Sequence, residues 1–243
     1  MKILDLPQRL RERRLFGVFD DFEWFLSPHL WSSFASGAGG ASVAVASGAA
    51  MFGGVVLLTT GATLNNEAAL GTTGAVFVPG ARQPLLYEAL LQFNEAATNK
   101  ANLFAGFSDV VTATGQMQPG NAGVKASFNG FGLCKVGNTN VWSAVSSKGA
   151  VQTVTPSQTT AGGPAQQSLR VEINEIDAQT AEVTFFVNSQ QLLDTAGRPI
   201  KHLVNYTAFA NLQAGVYVSA GSAASEVVGV DYIAAYQQRG AFV

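Results

Sequence analysis

The strongest alternation of apolar and polar positions in this chain lies between residues 84 and 109. Leu85, Tyr87, Ala89, Leu91 and Phe93 alternate with Leu86, Glu88, Leu90 and Gln92, and after a polar connection at 94–100 the pattern returns with Leu103, Ala105 and Phe107 on one side. Successive side chains of a strand point to opposite faces, so this stretch predicts a central pair of strands joined by a polar turn. Its faces separate incompletely, as in a strand of a two-sheet core whose outer face is partly covered. Further strands are predicted at 42–46, 54–60 and 68–78, the last interrupted at Gly71 or Gly74, and at 127–136, 140–146, 151–155, 215–219 and 227–236. Segments 169–176 and 181–188 read as a hairpin around Asp177 to Thr180, with Val171, Ile173, Val183, Phe185 and Val187 inward. Many short strands with turn signals between them predict an all-β antiparallel sandwich.

Two regions interrupt this pattern. Residues 1–19 form a basic arm in which Asp5 is placed to cap a short helix, followed by a single sandwich domain over 20–243. From Phe16 to Phe34 the chain is dense in aromatics, including Phe19, Phe22, Trp24 and Trp31, which predicts a plug at one end of the core. Two loops are expected, one at 109–125 and one, rich in Thr, Gly and Gln, at 156–167. Loops at sandwich ends commonly carry binding sites, which makes 109–125 the first place to look for a contact surface.

Charge changes the picture more than length does. Only 12% of the 243 residues are charged and the net charge is -2, while 47% are hydrophobic. Such a surface is poorly protected against association, which predicts a partner-covered or assembled protein. It offers no global attraction to nucleic acid. No Asp, Glu, Lys or Arg occurs between Glu23 and Glu67, yet Ser42, Ser47, Gly48, Gly53 and Gly54 break the apolar run, so strands are expected there rather than a membrane span. The basic start is followed by Asp20, Asp21 and Glu23 and does not read as a secretory signal. Cys134 is the single cysteine and reads as a strand residue.

Candidate chemistry is sparse. Sandwich glycosidases carry two carboxylates across the scissile bond, and a Glu-x-Asp-x-Glu strand aims its acids into one cleft. This chain has instead Glu172, Glu175 and Asp177, of which Glu172 and Glu175 point to opposite faces of a regular strand and Asp177 sits at a hairpin end. Glu67 and Glu88 are isolated, Asp20 and Asp21 lack companion carboxylates, and His29 and His202 are far apart, so no metal, cofactor or enzymatic activity is expected.

Several blocks, in order, resemble a family of tailed-bacteriophage virion structural proteins: FDDFEW at 19–24, TLNNEAAL at 63–70, QPLLYEALLQFNEA at 83–96 with NLFAGFSD at 102–109, and VDYIAAYQQR at 230–239. KASFNG at 125–130 and QSLRVE at 167–172 are similar to that family as well. The resemblance implies a concanavalin A-like lectin/glucanase sandwich (jelly roll) and a non-enzymatic role in decorating, or cementing, the capsid exterior. The partners implied are the major capsid protein and copies of the chain itself, as a trimer at local three-fold positions, with neither nucleic acid nor membrane. The basic arm supplies the candidate contacts, Arg9, Arg11, Arg13, Arg14 and Phe16. The alternatives are a tail or baseplate component, or a lectin-like virion module for host glycans with Trp142, Tyr206, Tyr217 or Tyr232 stacking on sugar rings; as the other reading, these aromatics belong to the core.

Overall fold

Alternation at 85–93 becomes a strand whose Leu85, Tyr87, Ala89, Leu91 and Phe93 are all buried, with Gln92 exposed on the opposite face. The computed structural model describes residues 15–22, 29–36, 39–46, 54–80, 83–112 and 115–238. These described residues form sixteen strands in order: β1 (Leu15–Asp20), β2 (Trp31–Ala35), β3 (Ser42–Val45), β4 (Val56–Thr59), β5 (Glu67–Thr72), β6 (Leu85–Phe93), β7 (Ala101–Ser108) and β8 (Phe128–Lys135). They continue as β9 (Val141–Gly149), β10 (Val151–Thr160), β11 (Gly163–Glu175), β12 (Thr180–Val187), β13 (Gln190–Gln191), β14 (Lys201–Asn205), β15 (Gln213–Ala220) and β16 (Val227–Gln238). All named pairings are antiparallel. The larger sheet has the order β13-β12-β11-β6-β16-β4-β3, with β1 on β16 and β14 on β12; the smaller has the order β10-β9-β8-β7-β15-β5-β2.

One continuous core fills the space between the sheets. It joins Tyr87, Leu91, Val171 and Phe185 of the larger sheet to Leu103, Phe107, Leu133 and Trp142 of the smaller, with Phe22 and Trp31 closing one side. Asp20 fixes that closure by accepting from Phe22 N at 2.8 Å and Trp31 Nε1 at 2.7 Å, which makes it a structural carboxylate. The 169–188 hairpin has the expected inward residues, all buried.

Three expectations need correction. The strands at 85–93 and 101–108 are not ladder partners: β6 lies between β11 and β16, whereas β7 lies between β15 and β8 in the other sheet. Both carry apolar faces, and those faces meet across the core. Tyr87 and Phe107 meet edge-on at 5.8 Å, and the Tyr87 hydroxyl donates to Gly215 O at 2.9 Å.

The second correction concerns 156–167, where β10 runs on to Thr160 and β11 starts at Gly163. Pro156 is tolerated because β10 is an edge strand. The third concerns the arm. Residues 15–19 are in ladder with β16, so an arm reaching to residue 19 is excluded. Arg9, Arg11, Arg13 and Arg14 lie outside the described residues, and Phe16 is half-buried with its ring 5.5 Å from that of Phe77.

Candidate ligand-binding face

A sandwich has two outer faces on which a ligand can lie. On the smaller sheet this face carries Ala69, Phe104, Phe128, Cys134, Val145 and Tyr217, which form a second buried cluster with Met117 and Val124 of the 109–125 loop. That loop is strapped down: Gly115 N donates to Glu67 Oε1 at 2.9 Å, Val111 N to Gln213 Oε1 at 2.8 Å, and Asn102 Nδ2 to Asn121 Oδ1 at 2.8 Å. Tyr217 also donates to Glu67, and burial pushes its phenol well above the ordinary value. Expected to be a contact surface, the loop is for the most part a cover. Among its described residues, only the tip around Pro119, Gly120 and Ala122 is exposed.

On the outer face of the larger sheet the described residues stand in rows across the strands. One row runs Phe186, Arg170, Glu88, Ala234, Phe19 over β12, β11, β6, β16 and β1. The Arg170 guanidinium lies 4.3 Å from the centre of the Phe186 ring and 3.1 Å from Glu172 Oε1. Glu88 accepts from the Tyr232 hydroxyl at 2.5 Å, and the Tyr232 ring lies 5.8 Å from that of Phe19, which is 50% exposed. Burial, and secondarily Glu88, raises the phenols of Tyr232 and Tyr236.

The next row runs Thr184, Glu172, Leu86, Tyr236, Gly17. Here the face opens into a cavity of about 160 Å³ lined by Leu15, Pro84, Leu85, Leu86, Glu172, Asn174, Tyr236 and Gln238. A Cβ at Gly17 would collide with the Tyr236 ring, so glycine is what lets that ring lie across β1. The cavity therefore joins an aromatic wall and an aliphatic floor to one carboxylate and two amide side chains. Among the described residues, Glu172 is the only carboxylate lining it. No group of three or more His, Cys, Asp or Glu side chains among the described residues is arranged to hold a metal. Nor is any described helix long and apolar enough to cross a membrane.

Of the four aromatics proposed to stack on sugars, the structure brings one to this face. Trp142 is fully buried, edge-on to Phe93 at 5.9 Å, and its Nε1 donates to Gln167 Oε1 at 3.1 Å. Tyr206 is 6% exposed and donates to Asp177 O at 2.7 Å, and Tyr217 lies under the loop. Those three have no ring face to offer a ligand, whereas Tyr232 is half-buried. Alternation alone misses Tyr236 and Gln238 because the register shifts between Val230 and Tyr232. One extra residue moves every later side chain of β16 to the opposite face, so Val228, Val230, Ile233 and Ala235 all reach the core.

Other groups with catalytic possibilities are occupied. His202 bridges the sheets, its Nδ1 2.9 Å from Ser146 Oγ and its Nε2 2.9 Å from Thr155 Oγ1. Burial lowers its imidazole to about 4. Asp177 is exposed and accepts from Gln179 N and Thr180 N, which hold its carboxyl below the ordinary range.

No family model and no curated protein matches the chain. Solved structures do. Peanut lectin, crystallised with a nine-residue peptide, superposes over 94% of this chain and 99% of its own at a TM-score of 0.59 and 12% identity. An endo-1,3-beta-glucanase from Streptomyces sioyaensis covers 93% and 98% at 0.59 and 14% identity. A protein of unknown function from Shewanella oneidensis MR-1, SO2946, covers 98% and 97% at 0.58 and 14% identity. The chain has the concanavalin A-like lectin/glucanase fold. Lectins and an enzyme share it, so the fold by itself does not separate binding from hydrolysis. Nothing in these likenesses points to a phage virion.

Proposed function

We propose that this protein is a non-catalytic, lectin-like carbohydrate-binding protein that holds neutral glycans on the outer face of its larger sheet. The observation that carries the reading is the cavity in which the Tyr236 ring, laid over Gly17, stands beside Glu172, Asn174 and Gln238. A sugar presents apolar C–H faces and a rim of hydroxyls. An aromatic wall suits the first, and amide and carboxylate groups suit the second. The lectin fold supports the same reading. Hydrolysis is disfavoured by chemistry, since cleaving a glycosidic bond takes a pair of carboxyl groups free to act, and of those beside the ligand path Glu172 is ion-paired with Arg170 and Glu88 accepts from the Tyr232 hydroxyl.

A glycan array probed with the purified protein, followed by calorimetry on Tyr236→Ala, tests this. Retention of neutral glycans and their loss in the folded variant are expected, with no product released from β-1,3-glucan. An array without a single neutral hit, or a Tyr236→Ala protein that binds as before, would overturn it.

A second reading, a capsid decoration protein that bridges major capsid subunits as a homo-oligomer, rests on one observation. The blocks at 19–24, 63–70, 83–109 and 230–239 resemble phage virion structural proteins. In that setting the weakly charged surface would lie on the shell and bound glycans would be those of the host. Co-sedimentation with undecorated heads tests it, and protein left wholly in the supernatant removes it.

A further inference from the structure

We infer that the ligand is an extended, neutral oligosaccharide lying along β16, held at two aromatic platforms rather than at the cavity alone; the inference rests on the carbohydrate-binding reading. The first platform is Tyr236 over Gly17. The second is the Phe19–Tyr232 pair, whose ring centres are 5.8 Å apart. Between them on the outer face stand Ala234 and, across the ladder, Glu88. Tyr236 and Tyr232 are four positions apart on one strand, or roughly 13 Å at about 3.3 Å per residue. That span exceeds one sugar ring, so one residue cannot reach both.

The small side chains keep the path between the platforms low. Gly17 has none, and Ala234, opposite Phe19, adds only a methyl group. Hydrogen-bonding groups line the way: Gln238 and Asn174 at the cavity, the Glu88 carboxylate in the middle, and at the second platform the Tyr232 hydroxyl that donates to it. Phe19 is half-exposed although it pairs with Tyr232, and it is the one large apolar ring among the conspicuously exposed hydrophobic residues described. An exposed ring beside a hydrogen-bonded tyrosine is an incomplete contact that a sugar face completes.

Charge selects the class of glycan. The described outer face carries Glu88, Glu172, Glu182 and Asp231 against Arg170 and Lys201. Both cations are already committed, Arg170 to Glu172 and Lys201 to Glu182 at 3.0 Å. Asp231 accepts from Gln166 Nε2 at 2.8 Å. With no uncommitted cation on this described face, a uronate or sialylated chain would bring its charge next to Glu88 and Glu172 without compensation, whereas a neutral chain meets acceptors for its hydroxyls.

Calorimetry with neutral gluco-, manno- and galacto-oligosaccharides, each from monosaccharide to hexasaccharide, tests this, with an oligouronate as charge control. Affinity for the binding series is expected to rise at least about tenfold from the shortest to the longest member, and Phe19→Ala to remove most of that gain. The oligouronate is expected not to bind. A length series that stays flat, with Phe19→Ala indistinguishable from wild type, overturns the extended mode and leaves single-sugar binding at Tyr236 standing. Preference for the oligouronate overturns the charge argument. Absence of binding in all neutral series, together with an empty array, overturns both the inference and the function it rests on.

Discussion

Gly17 stands directly opposite Tyr236 in the β1–β16 ladder, and the tyrosine ring occupies the space that a side chain at Gly17 would need. Gly17→Ala is therefore expected to act twice. The new methyl group clashes with the ring and with Ala235 O, so a stability loss of about 1–3 kcal/mol is expected, as for overpacked sites. It also swings Tyr236 off the cavity wall, so glycan affinity falls more than stability does. Urea unfolding and calorimetry on the same variant check both parts, and an unshifted midpoint would show that the ring is not seated over β1.

Acid should loosen the sandwich through His202. Its imidazole, buried between Ser146 and Thr155, titrates at about 4 in the folded protein against an ordinary 6.5. The unfolded chain therefore binds the extra proton first. Stability from this group is fully present above 6.5 and is lost as pH falls towards 4, by roughly 3 kcal/mol in all. Other groups titrate in the same range, so the useful quantity is a difference. His202→Gln should show a shallower fall than wild type between pH 6.5 and pH 4 in urea midpoints. Parallel curves would mean that the imidazole is not buried neutral.

The strand content was legible because the local signal and the burial agree. β6 occupies the residues its alternation predicts, and the 169–188 hairpin has the predicted inward residues. Partner choice was not legible, since β6 and β7 carry equally apolar faces and nothing local says whether such strands pair or stack. Strand extent failed at 156–167 because Pro, Gly and Thr are turn residues in most settings but are accommodated on an edge. The site was hidden for a different reason. Tyr232 and Tyr236 share a face with Val230 under strict alternation, and the bulge before Tyr232 turns them outward. Trp142 and Tyr206 looked suited to sugars by residue type, but a large aromatic in a sandwich is as useful to the core, and that is where both lie.

The crossover between the two sheets depends on a buried ion pair. Lys135, at the end of β8 and fully buried, donates to Glu95 and to Ala101 O at 2.8 Å; Glu95 also accepts from Asn99 N at 2.6 Å and Ala101 N at 2.9 Å. Glu226 holds the same turn by accepting from Ala96 N at 2.9 Å. Burial lowers the Lys135 ammonium while Glu95 opposes that shift, so the cation is held by its partner. Lys135→Met leaves Glu95 without its counter-charge and close to Glu226, at an expected cost of about 3–5 kcal/mol. A loss below about 1 kcal/mol in chemical denaturation would show that water reaches the pair and that the turn is held by its backbone bonds alone.

Cys134 reports on the cover of the smaller sheet. It faces the second cluster with Phe104, Met117 and Val124, and burial pushes its thiol up to about 12. Only the thiolate reacts with alkylating agents, so two barriers protect it, access and ionisation, and both vanish when the 115–125 segment lifts. Labelling by iodoacetamide should therefore follow opening of that segment rather than reagent concentration alone. The opening is held in part by Glu67, which accepts from Gly115 N on the loop and from Tyr217 beneath it. Glu67→Ala removes the oxygen that accepts both bonds and should raise the native-state labelling rate by about tenfold or more, since about 1.4 kcal/mol of local opening energy is worth that factor. Mass spectrometry of the labelled protein follows the rate under conditions where global unfolding is negligible. If wild-type Cys134 labels as fast as a small free thiol, the loop does not cover the sheet in solution, and the smaller sheet's outer face must be reconsidered as a binding surface.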